Sequence, residues 1–299
     1  MNLSIKKIDL AVVLENLDLC RPLLLPQGIA LLHDPAPLIF FEARDSNTLV
    51  GLIMAKRFTE NQTAQVYSWV VAERWRQRGI GYALFEALQS HLAHQEQCIA
   101  LGFEYEEQTP SAIAIECILT RLGWFPPKLY LIRCTFVAAT FNPPWMQKYA
   151  SLKLPSEMGL FPWKELTASE RTKILYQQNQ GHFRPYLSPF RDEGSIEWVN
   201  SLGLRYRKEV IGWCITHRIN PDTIRYSAFY IQNEFAIRGY AIWLLIQSIQ
   251  QHKKSGIPIA LFEANFEDTD HTWWLFVKKR LIPYADRVEK MKWALHYLR

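Results

Sequence analysis

The chain has 299 residues, 49% of them hydrophobic and 21% charged, with 34 basic against 29 acidic side chains and a formal net charge of +5. That length suffices for two domains with packed cores, and the composition excludes a disordered chain. No apolar run approaches the roughly 18 residues of a membrane-spanning helix, and the small positive excess is too dispersed for a phosphate backbone, so neither a membrane nor a nucleic acid is expected as a partner.

In chain order, the opening stretch MNLSIKKIDLAVVLENLDL carries Asp9 inside its only apolar run and no small-residue cleavage site, so a secretory leader is not expected. Two β-rich runs follow, PLIFFEAR and TLVGLIMAKRF, separated by the turn signal DSN; TENQT then separates the second from AQVYSWVVA. Together they predict a three-stranded antiparallel meander. Next comes RWRQRGIGYALFEAL, residues 74 to 88, with two glycines and three arginines just ahead of a helix whose apolar stripe is Leu84, Leu88 and Leu92 beside Phe85. The same helix carries His91 and His94 on its polar face, where a solvated role outweighs metal ligation. A buried strand, CIALGFEY, leads to a helix predicted to start at Pro110, capped by Thr109 and ended by Gly123, and KLYLIRCTF is the last strand of this half. Within that helix Cys117 is read as a small buried residue.

The segment NPPWMQKYASLKLPSE, with its three prolines, suits a linker or crossover. After it, Thr167 and Glu170 have capping-box spacing, and the irregular stretch QNQGHFRPYLSPFRDEG, 178 to 194, fits a cleft-shaping loop and a packed surface loop equally. Strands LGLRYRK, EVIGWCITHRI and IRYSAFYIQ then repeat the meander, with the turn NPDT before the last. Trp273 and Trp274 are expected in a core or at a domain interface. The five cysteines, Cys20, Cys98, Cys117, Cys134 and Cys214, form no CxxC pair and are odd in number, as expected of reduced thiols in a cytoplasmic protein.

These two halves are copies of one pattern. Residues 78–101 lie over 238–261 without a gap, six of twenty-four positions are identical, and Gly79 falls on Gly239 at an offset of 160. LVGLIMAKRF faces VIGWCITHRI at an offset of 161, and TRLGW faces KRLIP at 159. The predicted organisation is therefore α/β, with two tandem domains over residues 1–140 and 157–299, each a mostly antiparallel mixed sheet flanked by helices.

A loop that enters a helix points unpaired backbone N–H groups at one spot, at the positive end of the helix dipole, where a diphosphate can bind. Gly79 and Gly81 let an anion approach, and Arg76 and Arg78 add charge. The spacing RxxGxG excludes the P-loop and fits the dinucleotide fingerprint poorly, because the third glycine is missing and an antiparallel meander precedes it. WVVAERWRQRGIGYALFEAL, residues 69 to 88, resembles the central motif of the GNAT superfamily of acyl-CoA N-acyltransferases, and the order of elements on both sides resembles that fold across nearly the whole chain. In the second copy, FYIQNEFAIRGYAIWLL, Gly239 and Ala241 keep the two small positions, but Ala236 stands where a basic or amide residue is expected.

The resemblance implies a tandem GNAT-like N-acyltransferase, using acetyl-CoA or another acyl-CoA and an amine acceptor, with a better-preserved first site. It implies that the main chain of Trp69, Val70 and Val71 pairs with the pantetheine amides. Backbone N–H groups from Gln77 through Arg78, Gly79, Ile80 and Gly81 to Tyr82, flanked by Arg76, would hold the pyrophosphate, and an N–H near Val71 would polarise the thioester carbonyl. Departures from the family are clear. Ala112 and Leu119 stand where Asn and the proton-donating Tyr are usual, His271 and Lys278 stand there in the second half, and Gln65 and Arg225 replace the frequent fourth-strand Glu. The remaining candidates are Glu104 as a proton relay and Tyr105 or Ser111 as donor to the thiolate. Two other readings fit: a transferase active in the second domain, and a non-catalytic CoA-binding sensor or interaction protein.

Overall fold

Alternating apolar residues with β-branched and aromatic character build the strands of both halves. The computed structural model describes residues 2–236, 238–266 and 271–298, with the backbone alone at 271 and 272. In the first half, β1 (Leu3–Ile8) precedes the short helices α1 (Leu10–Glu15), α2 (Leu17–Cys20) and α3 (Pro26–Ala30). The expected meander follows as β2 (Leu38–Asp45), β3 (Thr48–Phe58) and β4 (Thr63–Val71), then α4 (Ile80–His94), β5 (Ala100–Glu106), α5 (Ala112–Arg121) and β6 (Lys128–Val137). The second half repeats the order with α6 (Pro144–Ala150), β7 (Met158–Pro162), α7 (Ala168–Asn179), β8 (Leu202–Tyr206), β9 (Glu209–Asn220) and β10 (Thr223–Ile231). It closes with α8 (Asn233–Ala236), α9 (Tyr240–Ser255), β11 (Ile259–Asn265), α10 (His271–Phe276) and β12 (Arg287–Tyr297). No helix among the described residues is long and apolar enough to cross a membrane.

Two compact units result, Met1–Tyr130 with Lys290–Arg299 and Leu131–Glu289. In the first, β1 to β4 are antiparallel neighbours, β4 runs parallel to β5, and β12 closes the sheet antiparallel to β5. In the second, β7 to β10 are antiparallel, β10 is parallel to β11, and β6 closes the sheet antiparallel to β11. Each sheet thus takes its last strand from the other half of the sequence. Proximity in sequence suggests that KLYLIRCTF finishes the sheet of its own half, yet its residues from Leu131 to Val137 pair with Asn265 to Ile259.

The cores follow from the same patterning. In the first unit Leu84, Phe85, Leu88 and Leu92 of α4 are fully buried against one sheet face, with Ala294 of β12 in the same cluster, while α1 to α3 cover Phe40, Leu52 and Met54 on the other face. In the second unit α9 fills the matching place with Leu244, Leu245 and Ile249, and Ile174 of α7 joins Trp163 and Trp213 opposite. Burying such stripes is what holds helix to sheet, at about 25 cal/mol per Å² of apolar surface.

Several local expectations change. The proline-rich segment read as a linker forms α6, because Trp145 and Met146 are buried in the second unit's core and the Trp145 indole donates to the Arg280 carbonyl at 2.8 Å. The fifth helix starts at Ala112 with Ser111 at the N-cap, since the Thr109 hydroxyl donates to the Glu106 carbonyl in the preceding turn. Gly123 ends that helix region with φ of 78°. Cys117, read as buried, is exposed. The capping box at Thr167 and Glu170 forms in full, and Trp273 and Trp274 pack on the second unit's core. The repeat also shifts: β4 and β10 keep the offset of 160, but the strand register sets Phe103 opposite Val66 and Phe262 opposite Tyr226, so β5 and β11 correspond at 159. Glu104 therefore matches Glu263.

Gly102 tests the exchanged strand. A Cβ there would collide with the indole of Trp293 on β12. We expect Gly102→Ala to cost about 1–3 kcal/mol through overpacking, and Trp293→Leu to recover part of that loss in the double variant. Urea unfolding of the three proteins checks it.

Candidate functional site

One strand departs from regularity at the position that makes a cleft. The apolar residues of β4 that face α4 are Ala64, Val66, Trp69 and Val71, a period of two with one residue inserted. The insertion is a β-bulge at Tyr67, where the pairing with β3 jumps from Ala55–Val66 to Met54–Ser68. On its other edge β4 pairs with β5 for only four residues, Thr63 to Val66, and beyond the bulge the two strands part. The backbone of Trp69 to Val71 is left without a neighbour on that side.

Backbone polar groups of a strand alternate between its two edges. The Ala72 N–H donates to the Val50 carbonyl across β3, so Val71 and Trp69 turn their N–H groups the other way, into the gap. The Val71 carbonyl, on the same side, accepts from Arg76 Nε at 3.1 Å, which ties the loop to the strand end. These are the sequence-expected pantetheine groups, and the structure brings them together with the glycine loop.

That loop bends sharply. Gln77 and Gly79 both lie in the left-handed region, with φ of 61° and 78°, and Gly79 is the N-cap of α4. Ile80, 1% exposed, anchors the helix start in the core. The Gly81 Cβ position lies 3.4 Å from the Trp69 ring, so helix start and parted strand are in contact through Trp69. Trp69 itself packs edge-on to Phe85 and Phe103. Arg76, Gln77, Arg78 and Gly79 are exposed. Arg78 lies over the Trp75 ring, Tyr82 donates to Glu86 under the Arg121 guanidinium, and neither Arg76 nor Arg78 has a carboxylate partner among the described residues. Open N–H groups, a helix N-terminus and two guanidinium groups without carboxylate partners are the chemistry that could hold a polyanion here. Nothing lies within 4 Å of the Cβ position of Gly79, so the residues present fit a diphosphate.

The second copy has the same scaffold with a different outcome. Its bulge falls at Ser227, its parallel pair ends at Tyr226, and Gly239 caps α9 with φ of 81°. Here, however, a Cβ at Gly239 would stand 3.1 Å from the ring of Tyr149 on α6, with Leu152 beyond it. Trp273, which matches Ala114 at the 159 offset, stacks on Phe229 beyond the end of the parallel pair and packs edge-on to Phe262 at its last position. Aromatic side chains cover what the first unit leaves open. The side chain of His271 lies outside the described residues.

The candidate proton carriers of the first unit lie on opposite sheet faces. Tyr105 is buried and points toward α5, where its hydroxyl donates to Glu116 at 3.0 Å; Glu116 also accepts from Lys292 at 2.8 Å. Burial and this bond push the Tyr105 phenol well above its ordinary range, while Lys292 holds Glu116 below its own. Ser111 is exposed at the start of α5 and caps nothing with its side chain. Leu119 is fully buried and Ala112 nearly so. Glu104 is on the face away from α4, next to Tyr67, whose phenol is raised by burial and further by the Glu104 and Asp34 charges against the lowering effect of Lys56. Lys56 and Asp34 form an ion pair at 2.8 Å. Tyr67 was missed by sequence reasoning, although the inserted residue in the alternation was its signal.

Residues 13–124 match the acetyltransferase (GNAT) family. No curated protein matches the chain by sequence. Among solved structures, a tandem GNAT protein from the clavulanic acid biosynthesis pathway is 13% identical and superposes with a TM-score of 0.60 over 99% of both chains. A GCN5-related N-acetyltransferase from Sphaerobacter thermophilus is 12% identical, with a TM-score of 0.62 over 100% of this chain and 96% of its own. A glucosamine N-acetyltransferase region in a fungal multi-domain β-N-acetylglucosaminidase reaches 0.66 at 13% identity, covering 98% of this chain and 38% of that protein.

The two loop glycines serve different needs. Gly79→Ala forces a side chain into the left-handed region and is expected to cost about 1–2 kcal/mol. Gly81→Ala meets only ordinary contacts with Trp69 and Ile118 inside a helix, and we expect it to be neutral or to stabilise by up to about 1 kcal/mol. Thermal and urea unfolding distinguish the two.

Proposed function

We propose that this chain, a tandem GNAT protein by the sequence of residues 13–124 and by its fold, is an acyl-CoA-dependent N-acyltransferase whose cofactor binds in the first unit. The observation that carries this reading is the parted strand pair beside an uncovered left-handed glycine, Gly79. Acetyl-CoA is the acyl donor we favour, and a cytoplasmic setting agrees with five cysteines that are all free thiols.

Bound acyl-CoA supplies a thioester that an amine attacks. The chain's own residues do the rest. The Trp69 N–H donates to a pantetheine amide carbonyl, and the main chain from Trp69 to Val71 pairs with the pantetheine as an added strand would. The loop from Gln77 to Tyr82 and the charges of Arg76 and Arg78 hold the diphosphate, and the Val71 N–H donates to the carbonyl whose oxygen gains charge. Glu104 accepts the amine's proton, directly or through water, with Tyr67 beside it. For the leaving sulfur, Ser111 is the more available donor, because the Tyr105 proton is already held by Glu116 and its acidity is lowered.

A second reading has specific support. Leu119 and Ala112 stand where the family's usual Tyr and Asn assist departure, so a protein that binds acyl-CoA without turning it over also fits the site. Activity centred in the second unit has less support, because Tyr149 and Trp273 fill the matching space.

Titration of acetyl-CoA by calorimetry separates the three. We expect binding to wild type and to Ala241→Trp, and loss of binding in Gly81→Trp; the reverse pattern would assign the cofactor to the second unit. With thiol release measured against a panel of amines, Glu104→Gln is expected to lower turnover about 10²-fold with acetyl-CoA affinity unchanged. Tight binding with no thiol release from wild type for any amine supports the non-catalytic reading.

A further inference from the structure

The second unit carries a polar cavity of about 130 Å³ that the cofactor reading does not use. That is room for several waters, or one molecule of amino-acid size. Its floor comes from the sheet: His217 on β9, Arg225 and Ser227 on β10, and Glu263 on β11. Its wall is the irregular loop singled out in the sequence, with Arg191 and Asp192.

His217 is 2% exposed, and its Nε2 lies 2.9 Å from the Arg191 carbonyl. A carbonyl oxygen only accepts, so Nε2 carries the proton and Nδ1 presents a lone pair. That Nδ1 is buried and finds no hydrogen-bond partner among the described residues. Burying an acceptor without a donor is unfavourable, so the site favours a ligand that brings an N–H or O–H donor to it.

The charges around it form a loose ion-pair cluster in which the Arg225 guanidinium makes no direct hydrogen bond to either carboxylate. The terminal nitrogens of Arg225 stand 3.7 Å from Asp192 Oδ2 and 3.9 Å from Glu263 Oε2, outside hydrogen-bond distance, while its Nε donates to Ser227 at 3.0 Å. Glu263 is held on its other oxygen by Arg133 at 2.8 Å. The lining thus offers two guanidinium groups, of Arg191 and Arg225, and two carboxylates beside one lone-pair nitrogen. A ligand with a single charge satisfies one side of this wall and is repelled by the other.

We propose that the cavity formed by His217, Arg225, Asp192 and Glu263 is a binding site for a small zwitterion, an α-amino acid or a compound presenting the same ammonium and carboxylate pair. Its ammonium donates to His217 Nδ1 and the acidic side chains, and its carboxylate lies on the Arg225 fork. All of its residues belong to the second unit, so the inference does not depend on where acyl-CoA binds.

The test uses the full chain and the twenty L-α-amino acids at millimolar concentration, first by thermal shift and then by calorimetry on the tightest binder. At least one amino acid should raise the melting temperature and bind. Its N-acetyl and carboxamide derivatives, each lacking one charge, should bind at least tenfold more weakly. Asp192→Asn, at an exposed position that leaves the core intact, and Arg225→Gln should each weaken binding about tenfold; His217→Phe should abolish it. The proposal is overturned if no amino acid gives a shift or heat, if a singly charged derivative binds equally well, or if binding survives Asp192→Asn and Arg225→Gln unchanged.

Discussion

Everything at the first site depends on a parallel strand pair that lasts four residues and then opens. The extra residue at Tyr67 rotates the rest of β4, so that Trp69 and Val71 turn into the α4-facing core while their N–H groups face a gap instead of β5. Such groups are costly to bury without partners. On the reading proposed above, the open edge pairs with a ligand's amides and the glycine loop at its end takes the negative charge.

The second unit keeps the architecture of the first with a different filling. Its bulge, its short parallel pair and its left-handed glycine are all retained, because each is set by backbone geometry that the sheet and α9 need. What changes is the filling. Tyr149 comes from α6, a segment with no counterpart between the first unit's strands, and Trp273 replaces a small residue. Glycine at 239 is therefore explained by its φ, whereas glycine at 79 serves both its φ and an open surface.

Much of this was legible in the sequence. The repeat, the meander, the helix stripes, the capping box and the loop at 74–88 all rest on local periodicity and on residues whose conformational needs are strong. The strand exchange was not legible, because Lys128–Val137 and Arg287–Tyr297 have the same alternating pattern and either could close either sheet. The buried place of α6 escaped for a related reason: three prolines signal a break, and only the packing of Trp145 shows that the break is covered.

The amino-acid sequence by itself determined the two-fold repeat, the left-handed glycines and the basic loop ahead of α4, since these follow from short-range sterics, periodicity and charge. Tertiary structure alone decided which strand completes each sheet, which glycine loop stays uncovered and which polar residues meet. Those outcomes depend on contacts between residues far apart in the chain, such as Tyr149 over Gly239, Trp293 on Gly102 and the loop carrying Arg191 against His217. No local pattern records them, because the energy that selects them exists only once the elements have packed.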